Sequence, residues 1–130
     1  MKRYIYSILF FTGVIFLSNC SSPTGSVDPL VGIWEMTEMN SPNGTIYSDE
    51  DNNGIWILSE NGTITLTEEF DGVTTSDNGT WSTTGNKLSI ITGSGTVIYD
   101  YSISGTTLTI SRTGTTDGVT WTIEIKFSKQ

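Results

Sequence analysis

Between Val119 and Phe127 the chain reads Val-Thr-Trp-Thr-Ile-Glu-Ile-Lys-Phe, with an apolar side chain at every odd position and a polar one between. A β-strand turns successive side chains to opposite faces, so this pattern gives one face to a core and the other to water. The same period of two runs through Ile64, Leu66 and Phe70; Leu88 and Ile90; Val97, Tyr99, Tyr101 and Ile103; and Leu108 and Ile110. Nowhere from Leu30 to Gln130 do apolar residues recur at helical spacing. The fold class is therefore all-β and predominantly antiparallel.

Short breaks separate the alternating runs. Asn61-Gly62, Asp71-Gly72, Asn78-Gly79, Gly85-Asn86, Ser104-Gly105 and Asp117-Gly118 supply the positive φ that tight hairpins need. Strands are predicted near 31–39, 54–60, 63–70, 78–84, 87–92, 96–103, 106–112 and 119–127. Eight strands joined by tight turns form a meander, which closes most economically into an up-and-down barrel. Gly32-Ile33-Trp34 opens the first strand and is similar to the G-x-W motif of lipocalins, whose Trp closes one barrel end. The texts Glu60-Asn61-Gly62-Thr63, Gly79-Thr80-Trp81-Ser82, Gly85-Asn86-Lys87-Leu88 and Tyr101 to Leu108 extend the likeness. Together they resemble the small lipocalin-like domains of bacterial lipoproteins. The resemblance implies a small eight-stranded antiparallel barrel with a binding role. It lacks two features of the family, a T-D-Y-like element and an Arg in the last strand to stack on Trp34; Lys126 and Lys129 stand in that strand instead.

The first twenty residues differ from everything after them. Lys2 and Arg3 precede an almost uncharged apolar run from Tyr4 to Leu17, a secretory signal pattern. As a helix that run would span about 21 Å at roughly 1.5 Å per residue, too short for the hydrocarbon core of a bilayer. Leu17-Ser18-Asn19-Cys20 resembles the bacterial lipobox, with Asn19 where Gly or Ala is usual. Cys20 is the only cysteine, and its place after the apolar run marks it as the lipidation site. The expected organisation is a lipoprotein signal peptide over 1–19, a lipidated Cys and flexible tether over 20–29, and the barrel over 30–130. The membrane would then be reached through the anchor at Cys20, placing the protein in the bacterial cell envelope. Ser21, in place of a retention-type Asp, favours the outer membrane.

After Cys20 the chain carries all fourteen acidic residues but only Lys87, Arg112, Lys126 and Lys129 as fixed cations, a net charge of −10. Such a surface repels nucleic acid and anionic headgroups. Asp49-x-Asp51-x-Asn53-Gly54, with Glu60 behind it, fits the pattern of a helix-flanked calcium loop. Ile55 to Ser59 reads as strand, however, and six extended steps carry Glu60 about 20 Å away at roughly 3.3 Å per residue. The stretch is read as a solvated loop at the barrel mouth, the alternative being a reduced cation site of Asp49, Asp51, Asn53 and backbone carbonyls; no metal residues are assigned. Asn-Gly-Thr at Asn43, Asn61 and Asn78 matches a glycosylation acceptor but reads as turn chemistry.

No set of residues amounts to a catalytic site. The chain has no His, its Cys is assigned to lipid, and no Gly-rich phosphate loop opens a helix. Glu68 and Glu69 are adjacent on a strand and point to opposite faces; Glu35 and Glu38, three apart, are expected to diverge as well. The protein is expected not to be an enzyme and to need no cofactor. Trp34, Trp81, Tyr99, Tyr101 and Trp121 are the candidate lining of a site for a small apolar or amphipathic ligand. The alternative is a non-enzymatic envelope module that binds a protein partner, an enzyme inhibitor included.

Overall fold

The computed structural model describes residues 27–130; the expected signal peptide, Cys20 and most of the expected tether lie outside the described residues. Nine antiparallel strands follow in order: β1 (Gly32–Ser41), β2 (Gly44–Tyr47), β3 (Asn53–Leu58), β4 (Thr63–Phe70), β5 (Val73–Thr84), β6 (Lys87–Thr92), β7 (Gly95–Ser104), β8 (Thr107–Thr116) and β9 (Val119–Lys129). Each strand from β3 onward pairs with the next, and β9 pairs back onto β1, so eight strands close into an antiparallel up-and-down barrel. The short β2 is an outlying ninth. It pairs with the second half of β1, from Glu38 to Ser41, while the first half, Gly32 to Glu35, pairs with β3.

Local chemistry sets the hairpins. Asp71 and Gly72 have φ of 51° and 73°, and Asp117 and Gly118 have 52° and 77°. Two successive positive φ values match the right-handed twist of the flanking strands, which is why Asp-Gly serves both turns. Asn78-Gly79 is different and corrects the expected turn there. It lies within β5, which starts at Val73 rather than 78. The glycine is needed for close approach of backbones: a Cβ on Gly79 would lie 1.9 Å from the carbonyl oxygen of Ile91 on β6. Asn78 instead accepts a hydrogen bond from the Thr65 hydroxyl across the β4–β5 ladder, at 3.0 Å.

A β-bulge in β1 shifts the register between Met36 and Glu38 against β9. Met36 pairs with the buried Phe127, and Glu38 pairs with Lys126 on the outer face, where the two form an ion pair at 2.9 Å. Thr37 is the extra residue. Glu35 and Glu38 thus share the outer face instead of diverging, because the bulge absorbs one step of the alternation.

The core fills one end of the barrel. Leu30, Trp34, Leu58, Ile64, Leu88, Leu108, Ile110 and Phe127 are each at most 1% exposed. The turns at 59–62, 85–86 and 105–106 lie at this end, which the incoming chain plugs: Leu30 is fully buried and its carbonyl accepts the Trp34 indole N–H at 2.8 Å. Lys129 places its Nζ 5.4 Å from the Trp34 ring centroid, so a lysine takes the place of the stacking arginine. It also donates to the Pro29 carbonyl at 3.4 Å. Gly32 has a φ of 147°, a conformation that L side chains rarely adopt, which accounts for the glycine of the G-x-W text.

Two substitutions test this account by denaturant unfolding. Trp34→Ala empties a fully buried site and is expected to lower stability by about 3–5 kcal/mol. Gly79→Ala forces two backbones apart and is expected to cost about 3 kcal/mol, although alanine is ordinarily the better strand residue.

Candidate functional site in the open half of the barrel

Toward the other end the inner face changes character. Its residues follow from strand parity: Leu66, Glu68 and Phe70 on β4, Asp77 on β5, Val97 and Tyr99 on β7, Arg112 on β8, and Trp121 and Ile123 on β9. None of these is fully buried, whereas every inward side chain of the closed half of β1 and β3 is. Solvent therefore reaches the inside of the barrel from the end bearing the turns at 71–72, 93–94 and 117–118.

Trp56 forms the floor. It is 2% exposed, and its ring lies 4.8 Å from Phe127 and 6.0 Å from Tyr99, centroid to centroid. Its indole N–H donates to Glu68 Oε1 at 3.1 Å, which holds that carboxylate on the inner face. Trp121 lies against Gly114 on the paired strand, where a Cβ would meet its ring at 2.3 Å, and donates to the Thr116 hydroxyl at 3.0 Å. The guanidinium of Arg112 stands 5.8 Å from the Trp121 ring centroid. The β7–β8 ladder ends at Asp100 and Ser111, so among the described residues the facing edges of Gly95–Tyr99 and Arg112–Thr116 have no ladder partner.

The phenol of Tyr99 reports the electrostatics of this half. Burial pushes its pKa up from the usual tyrosine value, the Glu68 carboxylate pushes it further, and Arg112 pulls it back. Glu68 and Arg112 therefore both act on Tyr99. They form no ion pair with each other among the described residues.

The five predicted lining residues separate into two groups. Tyr99 and Trp121 face the open half. Trp34 is the plug of the closed end, fully buried. Trp81 donates its indole N–H to the Ser59 carbonyl at 3.0 Å, and the Tyr101 hydroxyl donates to the Gly85 carbonyl at 3.4 Å, so both fasten closed-end turns. Glu68 and Arg112 were not among the predicted lining residues. Glu68 continues the Ile64-Leu66 stripe and Arg112 continues Leu108-Ile110, so parity alone would have put both on the inner face.

The acidic loop is organised by its own backbone. Asp49 accepts hydrogen bonds from the Asp51 N–H at 2.9 Å, the Asn52 N–H at 2.8 Å and the Asn52 side-chain amide at 3.1 Å. These bonds hold the Asp49 carboxyl below its usual pKa. Among the described residues no cluster of three or more Asp, Glu, Cys or His is placed to hold a metal ion.

The Tyr99 environment is testable by ultraviolet titration of tyrosinate. Tyr99→Phe is expected to remove a component that ionises above the usual tyrosine range, and Glu68→Gln to move that component to lower pH. Because the folded-state pKa is raised, the stability this group contributes is complete below the unfolded value. It is lost as pH rises through the folded one, so unfolding experiments above pH ~10 should show wild type losing more stability than Tyr99→Phe.

A family model described as a lipocalin-like domain matches residues 30–110. No curated protein matches the sequence. Among solved structures, the chain is similar to a lipocalin-like protein from Bacteroides uniformis ATCC 8492, at 18% identity and TM-score 0.56, covering 78% of this chain and 98% of that one. It is also similar to an uncharacterized protein from Bacteroides eggerthii DSM 20697, at 12% identity and TM-score 0.54, over 77% and 98% of the two chains. Likeness at such identities is likeness of fold, and the fold is the closed meander with a Trp plug described above. With the family match spanning β1 to the middle of β8, the chain belongs to the lipocalin-like domain family.

Proposed function

We propose that the protein is a lipid-anchored envelope lipocalin-like protein that holds a small amphipathic molecule in the open half of its barrel. One observation carries the reading: the inner face is buried around Trp34 and open to solvent above Trp56, where aromatic rings and charged groups share one concave surface. Phe70, Tyr99, Trp121 and the Trp56 floor supply apolar and π surface for the body of a ligand, and Glu68 and Arg112 supply polar contacts near the mouth. A purely apolar ligand would leave those charges desolvated and unpaired, so the site favours an amphipathic one.

The anchor fits the same geometry. The described chain starts beside the closed end, where Leu30 is the plug. A tether from Cys20 to that end would turn the closed end to the bilayer and the mouth away from it. The ligand would thus be taken from the aqueous side and not from the anchoring leaflet.

Native mass spectrometry of the chain from Ser21, which retains every described core residue, tests the binding role. After exposure to an envelope lipid extract a discrete added mass is expected, weakened in Trp121→Ala. A bare protein in both conditions would overturn the binding role and favour the interaction-module reading, for which the exposed outer patch of Ile33, Ile55 and Ile57 is the surface. For the anchor, metabolic labelling with an alkyne fatty acid in a bacterial host is expected to mark the wild-type protein and not Cys20→Ala.

A further inference from the structure

The charges inside the mouth are of opposite sign and stand on opposite walls. Around the barrel the strands run β1, β3, β4, β5, β6, β7, β8, β9 and back to β1. Glu68 on β4 and Arg112 on β8 are four strands apart in either direction, which is the full diameter. Trp56 on β3 and Tyr99 on β7 are likewise opposite, and their rings meet across the floor at 6.0 Å. The two charges lie above that floor, each against an aromatic group: Glu68 accepts from the Trp56 indole at 3.1 Å, and Arg112 stands over the Trp121 ring at 5.8 Å.

Glu68 is half-buried and Arg112 is exposed on the stretch of β8 that runs past its ladder with β7, and the two make no ion pair among the described residues. Their strands hold them on facing walls, so a molecule that satisfies both must carry both complementary charges and lie between them. From this we infer that the site selects a zwitterionic head group. Its ammonium lies at the Glu68 carboxylate, which the Trp56 indole N–H holds in place at 3.1 Å. Its anionic group lies at Arg112, whose planar fork matches phosphate or carboxylate oxygens. This rests on the amphiphile-binding reading and gives it a head-group class.

The test uses octylphosphocholine, octyltrimethylammonium, octyl sulfate and octyl glucoside below their micelle-forming concentrations. Binding to the chain from Ser21 is read by tryptophan fluorescence and calorimetry, with circular dichroism reporting the fold. The zwitterion is expected to bind at least about tenfold more tightly than the other three, the scale of one charge-assisted contact. Glu68→Gln and Arg112→Gln should each abolish that preference, read as the ratio of octylphosphocholine to octyl glucoside affinity, with the circular dichroism spectrum of the wild type retained. Equal affinity for all four, or preference for a singly charged one, overturns the zwitterion inference and leaves amphiphile binding standing. Binding of none overturns both. Tail-less phosphocholine is a further probe: affinity equal to that of octylphosphocholine would keep the charge selectivity and identify a free zwitterion, not a lipid, as its source.

Discussion

The pairing of β9 with β1 is what makes the rest of the molecule possible. Without it the strands form an open meander with two long unpaired edges and a concave face too shallow to exclude water. Closure converts the alternating side chains into an inside and an outside, and the inside can then be divided between a filled end and an open one. At the filled end the closure is reinforced by side chains. Trp34 from the start of the barrel, Lys129 from its end and the Leu30 plug meet there through an indole hydrogen bond and a cation over the ring. The substitution of lysine for the usual arginine keeps the charge over the ring but gives up a planar stacking partner.

The division between the two ends follows from side-chain volume. An eight-stranded barrel is just wide enough for side chains to fill it. Trp34, Trp56 and Phe127, with leucines and isoleucines around them, do so across the closed half. Beyond Trp56 the inner positions mix the rings of Phe70, Tyr99 and Trp121 with the charged Glu68, Asp77 and Arg112 and with Gly114. A glycine on an inner stripe leaves room, and at Gly114 that room is taken by the Trp121 ring. The open half is therefore shaped by residues that decline to fill it.

How much of this was legible in the sequence depends on which residues carry the signal. The strands with apolar alternation, such as Val119–Phe127, and the Asp-Gly turns beside them could be read directly, whereas the Asn-Gly text at 78–79 read as a turn and lies inside β5. The first half of β5, Val73 to Asp77, was missed because it extends past β6 and its side chains are largely exposed, so nothing selects for apolar alternation. β2 has only four residues and no buried one. Thr37 could not be recognised as a bulge from a string in which every residue counts as one step. The candidate site was half legible: aromatic residues pointed to it, but three of the five proved to fasten the closed end. Glu68 and Arg112 were overlooked because pattern reading counts apolar residues, and a charge on an inner stripe looks like the end of the stripe.

Because closure joins the first strand to the last, it also decides when the domain can form. Hairpins β4–β5 through β8–β9 pair neighbours in sequence and can assemble locally, but none of them supplies the second edge of β1. That edge comes from the 11 residues of β9, at the far end of the chain. Contacts of such long sequence separation place a barrel among the slower folders, on the order of milliseconds to seconds. A chain delivered N-terminus first must hold β1 unpaired on that side until its final strand arrives, and a chain cut before β9 would keep the earlier hairpins without a closed interior.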